Sequence, residues 1–93
     1  ARAARAAGCI MSVPSSDLEC LAWDPHTPSR LFASTDDGSL LVFDVRSPQA
    51  PLSHVPRAHS KTLSSLAFSP MAPGLLATAG LDKAVKIWDA RVR

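Results

Sequence analysis

The chain has 93 residues, of which 46% are hydrophobic and 19% charged, and its formal net charge is +2 at pH 7. So small a charge does not indicate a direct nucleic-acid partner, and no apolar run approaches the roughly 20 residues that a membrane-spanning helix needs. Length and composition therefore predict one small globular domain or part of a larger one, with no membrane segment.

The first thirteen residues fall into two segments. Residues 1–8 read ARAARAAG, a basic stretch without the hydrophobic run of a signal peptide. We expect them to be a linker or the ragged edge of a truncated chain. The β-prone segment Cys9 to Val13 follows, and we expect it to be an outer strand of a first structural unit.

Residues 18–46 and 63–91 are two copies of one repeat. A shift of 45 residues superimposes them without a gap and gives identical residues at nine of 29 positions, with Asp37/Asp82 and Asp44/Asp89 among them. Many other pairs keep their character, such as Phe43/Trp88. A repeat of this length, made of several short strands, is typical of a propeller or another stacked array.

Each copy predicts three strands. In chain order the six strands are Glu19 to Trp23, Leu31 to Thr35, Ser39 to Asp44, Ser64 to Phe68, Leu75 to Ala79 and Ala84 to Asp89. Proline-rich connections follow the first strand of each copy, and these favour turns over helices. Pro51 to Val55 fits a fourth, outer strand, because proline is tolerated at the start of an edge strand. We therefore assign residues 9–55 to a first unit and residues 56–93 to a second, incomplete unit.

The strand over residues 39–44 is apolar on both faces. Leu40 and Val42 point to one face of the predicted sheet, while Leu41 and Phe43 point to the other. A strand of this kind is buried on both sides. The pattern predicts a sheet that lies between other sheets.

The second copy resembles the WD40 repeat. His59 precedes an apolar strand, and Thr78, Asp82 and the terminal Trp88 follow at the spacing of that family. The resemblance implies an all-β fold of two WD40-type β-propeller blades, as a fragment of a propeller of about seven blades. It also implies that these four side chains form a structural hydrogen-bonded tetrad, which suits their donors and acceptors.

The first copy departs from this tetrad. Its equivalent residues are Pro14, Ala33, Asp37 and Phe43, so that the imidazole, the hydroxyl and the indole donor are all missing. Losing all three together costs less than losing one, because no buried group is then left without its partner. We expect apolar packing to hold the first blade.

Within the WD40 proteins, the chain resembles the periodic tryptophan protein 1 family. The resemblance rests on FASTDDG at residues 32–38, on DKAVKIWD at residues 82–89, and on the spacing between Asp44 and His59. It implies a non-catalytic scaffold without a cofactor, located in the nucleus and nucleolus and acting in ribosomal RNA processing and ribosome biogenesis. The implied partners are other proteins, namely pre-ribosomal factors and histones, with nucleic acid contacted only indirectly.

Arg46 and Arg91 support a second hypothesis. Each stands two residues after a strand-ending aspartate, and WDAR at residues 88–91 resembles the WDxR signature of substrate receptors that dock on the adaptor of cullin-4 ubiquitin ligases. An exposed arginine can make bidentate contacts to a carboxylate, which suits docking. The alternative is that both arginines pair locally at the edge of a blade.

Catalytic and metal sites have weaker support. His59, Asp82 and Thr78 could serve as base, orienter and nucleophile of a hydrolase, but their places within one blade explain them structurally. Asp36 and Asp37 could suggest a cation, yet a turn favours aspartate for backbone reasons, and a hard cation needs more oxygen ligands. We therefore expect no catalytic residue, no metal and no small-molecule substrate.

Overall fold

The computed structural model describes residues 16–46 and 51–90. Within these residues all regular secondary structure is β-strand. The strands are β1 (Leu18–Trp23), β2 (Arg30–Thr35), β3 (Leu40–Asp44), β4 (Ser53–Val55), β5 (Leu63–Phe68), β6 (Leu75–Gly80) and β7 (Val85–Asp89). The seven strand predictions in these residues are confirmed, and each boundary moves by two residues at most. The predictions for residues 1–8 and for Cys9 to Val13 lie outside the described residues. No helix that could cross a membrane occurs within residues 16–46 and 51–90.

The strands form two antiparallel sheets. The first sheet has the order β1-β2-β3-β4 and the second has the order β5-β6-β7. β4 lies beside β3 at the outer edge of the first sheet, through the pairs Leu40↔Val55 and Val42↔Ser53. No strand of the described residues pairs with the outer edge of β7. The second sheet therefore has one strand fewer than the first.

The two sheets repeat each other residue by residue. β1, β2 and β3 begin and end 45 residues before β5, β6 and β7. The register is the same as well, because Leu18↔Thr35 and Leu63↔Gly80 are equivalent pairs and a bulge follows the first residue of both pairings. The structure thus confirms the 45-residue repeat.

The core lies between the two sheets. All four residues 40–43 of β3 are buried, as the apolar pattern of that strand predicts. Leu40 and Val42 face the second sheet and pack with Phe32 and with side chains of β5 and β6, namely Leu63, Leu66 and Leu76. Leu41 and Phe43 pack on the opposite face of the first sheet. The interface between the sheets is therefore apolar, and burial of this surface stabilises their contact.

Hydrogen bonds at the rim of this core fix how the sheets meet. The Ser34 hydroxyl donates to the carbonyl of Leu63 at 2.7 Å, from the middle of the first sheet to the start of β5. The Thr62 hydroxyl donates to the carbonyl of Asp36 at 2.9 Å. Because Ser34 is fully buried, its hydroxyl needs such a partner.

The turns that join the second and third strands of each sheet have the same conformation. Gly38 has a φ of 87°, and the equivalent Lys83 has a φ of 69°. Gly38 is buried against another segment, since a Cβ there would collide with the carbonyl oxygen of His59 and lie 2.6 Å from that of Lys61, whereas Lys83 is exposed. Glycine is needed at this turn because the second repeat passes directly over it.

Candidate functional site

The second sheet brings together the four side chains of the predicted tetrad. His59 lies in the segment between β4 and β5, Thr78 on β6, Asp82 in the turn after β6, and Trp88 near the end of β7. The segment carrying His59 is held over the first sheet, because the His59 amide donates to the carbonyl of Gly38 at 3.0 Å. The site therefore joins three elements of the second repeat to a turn of the first.

The four side chains form one continuous chain of hydrogen bonds. The indole Nε1–H of Trp88 donates to Thr78 Oγ1 at 2.8 Å. Thr78 Oγ1 lies 2.8 Å from His59 Nε2, and His59 Nδ1 lies 2.9 Å from Asp82 Oδ1. Each contact has the length of a well-formed hydrogen bond.

The direction of these bonds follows from the chemistry at the two ends. The indole is a donor only and the carboxylate of Asp82 is an acceptor only. Thr78 Oγ1 accepts a hydrogen bond from Trp88, and its own O–H can therefore donate a hydrogen bond to His59 Nε2. His59 Nδ1–H then donates to Asp82. One neutral histidine tautomer satisfies every donor and acceptor of this hydrogen-bonded tetrad.

Further donors converge on Asp82. The amide of Ser60 donates to Oδ2 at 3.0 Å, and the amide of Ala84 donates to Oδ1 at 3.1 Å. The hydrogen bond from His59, followed by these two amides, holds the pKa of Asp82 well below its usual range. The carboxylate is therefore ionised at neutral pH and ties its own turn, after β6, to the segment that carries His59.

Burial decides what this arrangement can do chemically. His59 and Thr78 are almost wholly buried, and both ring nitrogens of His59 are occupied by Thr78 and Asp82. A general base needs access to the proton that it removes, and neither ring nitrogen is accessible. The contacts are those of a clamp that joins strands and turn, rather than those of a hydrolase. Among the described residues, no group of three or more His, Cys, Asp or Glu side chains could hold a metal ion.

Two residues of this site were not predicted from the sequence. A Cβ at Gly80 would lie 2.6 Å from His59 Nδ1 and 2.8 Å from Asp82 Oδ1, so the imidazole occupies the space beside Gly80. Lys86 Nζ donates to the carbonyl of Ala58 at 2.7 Å and fixes the residue before His59. A signal for Gly80 was available, because the first repeat has Thr35 there and lacks the histidine.

The first sheet has a polar cluster where apolar packing alone was predicted, so that prediction is wrong in this respect. The Thr35 hydroxyl donates to Asp37 Oδ1, the Ser39 amide donates to the same oxygen at 3.2 Å, and the Ser16 hydroxyl donates to Oδ2 at 3.1 Å. These bonds, from Thr35 above all, lower the pKa of Asp37 to about 2. Thr35 thus occupies the place that Gly80 leaves open for the imidazole in the second sheet.

Of the two arginines predicted to dock a partner, Arg46 and Arg91, the structure describes Arg46. Arg46 is exposed and makes a bidentate contact to Asp44, with its Nε 3.2 Å from Oδ1 and its Nη2 3.0 Å from Oδ2. This contact lowers the pKa of Asp44 to about 2. Arg91 lies outside the described residues. Arg46 therefore pairs locally with Asp44, while most of its side chain stays open to solvent.

Comparisons with known proteins agree with the repeat architecture. The family model for the WD domain, G-beta repeat, matches residues 8–44 and 50–89. The solved structure of RRP9 WD40 repeats superimposes with a TM-score of 0.74 and 28% sequence identity, over 83% of this chain and 24% of that one. The all-β, propeller-like fold predicted for the chain is confirmed.

Curated relatives carry the same repeat within much longer proteins. An uncharacterized WD repeat-containing protein of Schizosaccharomyces pombe is 33% identical over 75 residues, or 81% of this chain and 14% of that protein. DNA damage-binding protein CMR1 of Phaeosphaeria nodorum is 39% identical over 80 residues, or 84% of this chain and 14% of that protein. WD40 repeat domains are generally non-catalytic scaffolds for protein–protein interaction. The chain belongs to the WD40 family, as two successive repeats of a β-propeller.

Proposed function

We propose that the chain is part of a non-catalytic scaffold that binds other proteins, without a cofactor and without a small-molecule substrate. The observation that carries this proposal is the complete burial of His59, whose ring nitrogens are both engaged within the sheet. The side chains best suited to chemistry are thereby used for structure. What remains for function is the exposed surface on a rigid frame, where binding residues usually lie.

The two ends of the sheets supply such surface. At one end are the turns at residues 36–38 and 81–83, and at the other are the proline-rich loops 24–29 and 69–74. The two proline-rich loops touch, since His26 Nε2 lies 3.4 Å from the carbonyl oxygen of Ser69. Met71 projects from the second loop and is almost fully exposed. Loops held by sheets in this way suit the recognition of a protein partner.

The proposed setting of this scaffold is ribosome biogenesis and ribosomal RNA processing in the nucleus and nucleolus, with pre-ribosomal factors and histones as partners. Its support is the resemblance of residues 32–38 and 82–89 to the periodic tryptophan protein 1 family. A nuclear setting also has support from the relative named as a DNA damage-binding protein. Because the chain spans 14% of that relative, the proposal concerns the longer protein to which such repeats belong.

A second candidate is a substrate receptor that docks on the adaptor of a cullin-4 ubiquitin ligase through Arg46 and Arg91. The observation that favours it is the exposure of the Arg46 side chain, which is 75% accessible even while paired. A carboxylate on an adaptor could take over the guanidinium, because a solvent-exposed ion pair contributes little to stability. Docking would then replace one weak ion pair by another in a less hydrated setting.

Affinity purification of the tagged protein, with mass spectrometry of what it recovers, separates the two candidates. Arg91→Ala and Arg46→Ala are compared with the unaltered protein at physiological salt, and Lys61→Ala serves as a control at an exposed basic residue of the opposite end. Recovery of pre-ribosomal particles that survives all three substitutions supports the assembly scaffold. Recovery of a cullin-4 adaptor that only the two arginine variants lose supports the ligase subunit. Recovery of neither contradicts both.

A further inference from the structure

Three serine or threonine residues of the chain are followed directly by proline, namely Thr27, Ser47 and Ser69. Each lies in a connection between two strands, and Ser47 lies outside the described residues. Thr27 alone has a basic residue, Arg30, three positions later, since the other two have alanine there. The three Ser/Thr-Pro pairs therefore differ in the charge that follows them.

Thr27 lies at the junction of two tight turns in the first proline-rich loop. Its amide donates to the carbonyl of Asp24 at 3.3 Å, and its own carbonyl accepts from the amide of Arg30 at 2.9 Å. The equivalent residue of the second loop, Ala72, accepts from the amide of Leu75 at 3.2 Å in the same way, although it has no hydroxyl. The hydroxyl of Thr27 is therefore not required to form this loop.

The hydroxyl of Ser69 has a different part in the second loop. Its Oγ accepts hydrogen bonds from the amides of Met71 at 3.3 Å and Ala72 at 3.1 Å. In the first loop this part belongs to Asp24, whose Oδ1 accepts from the amide of His26 at 2.9 Å. A side-chain oxygen bonded in this way closes its own turn. Ser69 is therefore the poorer acceptor of a modifying group.

From these differences we propose that Thr27 is a phosphorylation site for a proline-directed protein kinase of the class that selects a basic residue three positions after the acceptor. Such kinases discriminate their substrates by charge pattern, and Arg30 supplies the basic residue. ATP supplies the phosphoryl group. Thr27 Oγ1 forms the new bond to the γ-phosphorus, ADP leaves, and the hydroxyl proton passes to the catalytic aspartate of the kinase.

The loop can open far enough for this reaction. A kinase binds its substrate as an extended segment, so the two backbone bonds of Thr27 must open. Thr27 is partly exposed, and the following Pro28 is exposed and has no N–H to be left without a partner. A residue before proline also prefers an extended backbone. Local opening of such a surface loop requires much less free energy than unfolding of the sheets.

A phosphate at Thr27 would change the charge of this end of the sheets. It adds about −1.5 to −2 charges at neutral pH, against a formal net charge of +2 for the whole chain. The neighbouring His26 reaches the second loop, with its Nε2 3.4 Å from the carbonyl oxygen of Ser69. The phosphate would therefore stand where the two proline-rich loops meet. An effect on partner binding rests on the proposed function, whereas the site itself does not.

Phosphorylation of the folded chain by a purified cyclin-dependent kinase with its cyclin and ATP, mapped by mass spectrometry, tests the proposal. We expect a single phosphate on Thr27. Thr27→Ala should lose it and keep its fold, because alanine is the residue that the second loop has there. Ser69→Ala, the matched control, should keep it, and Arg30→Gln should take it up more slowly. Circular dichroism compares the strand content of all four chains.

Three results would overturn the proposal. The first is a folded chain that takes up no phosphate from a kinase that is active on an established peptide substrate, because the loop would then withhold its threonine. The second is a phosphate on Ser69 or Ser47 in place of Thr27. The third is an unchanged rate at Thr27 in Arg30→Gln, since the charge pattern would then have no part in the choice of site. None of these results bears on whether the chain is a scaffold.

Discussion

Thr78 is the central member of the buried hydrogen-bond chain, and its replacement by valine tests whether that chain stabilises the second sheet. Valine has nearly the shape of threonine but no hydroxyl. The indole N–H of Trp88 and the Nε2 of His59, each 2.8 Å from Thr78 Oγ1, would lose their shared partner. Packing would change little, so the effect would report on hydrogen bonding alone.

The magnitude follows from the burial of the two orphaned groups. A buried polar group left without a partner costs about 1–3 kcal/mol. His59 is fully buried and should incur this cost in full, whereas Trp88 is half-buried and can recover part of its bond from water. We therefore expect Thr78→Val to lower the free energy of unfolding by about 2–4 kcal/mol.

Urea unfolding followed by circular dichroism, at one fixed protein concentration, measures this change. Ser64→Ala is the control, because the Ser64 hydroxyl also donates a hydrogen bond, to the carbonyl oxygen of Ala79 at 3.1 Å, but is exposed. We expect it to change stability by less than about 0.5 kcal/mol. A double-mutant cycle adds Trp88→Phe to both backgrounds. The second substitution should cost less once the hydroxyl is gone, since the indole N–H then has no partner to lose.

Two results would refute the reasoning. If Thr78→Val were as mild as Ser64→Ala, the buried chain would contribute no more than an exposed hydrogen bond. If the cycle showed no coupling between Thr78 and Trp88, the indole N–H would have found another partner. A change in the slope of the urea transition, rather than in its midpoint, would indicate a change in the unfolded state or a loss of two-state unfolding.

Three other perturbations follow from the same structure, each measured by urea unfolding at a fixed protein concentration. Gly80→Ala should destabilise by about 1–3 kcal/mol through overcrowding of His59, and no loss would mean that the imidazole is not held against Gly80. Gly38→Ala should cost at least about 1 kcal/mol, while Lys83→Ala should cost little, because Gly38 is buried under another segment and Lys83 is exposed. Equal costs would contradict the contact at Gly38. The pKa of Asp37 is lowered to about 2, so its stabilising effect is complete above the ordinary aspartate value of 3.8 and is lost as pH falls toward 2. Asp37→Asn should flatten this acid-induced loss, and an unchanged pH profile would count against the cluster.

The strands and their repeat could be predicted from the sequence because their signals are local. Alternation of side chains along a strand and proline or glycine in the turns act within a few residues, and seven strands followed from them to within two residues. The 45-residue spacing identified the second copy by comparison with the first. The resemblance of the second copy to the WD40 repeat put His59, Thr78, Asp82 and Trp88 forward as one set, and the structure brings these four side chains into contact.

The sequence by itself determined the all-β architecture, the strand bounds and the two-sided apolar character of β3, since each comes from patterns within one element. Other features depended on contacts between segments far apart in the chain. Only the tertiary structure decided that Thr35 replaces an imidazole beside Asp37, that Gly38 lies under His59, and that Val85 is exposed where Leu40 is buried. The physical reason is that equivalent residues of a repeat have equivalent backbones but different neighbours, and burial and hydrogen bonding depend on the neighbours.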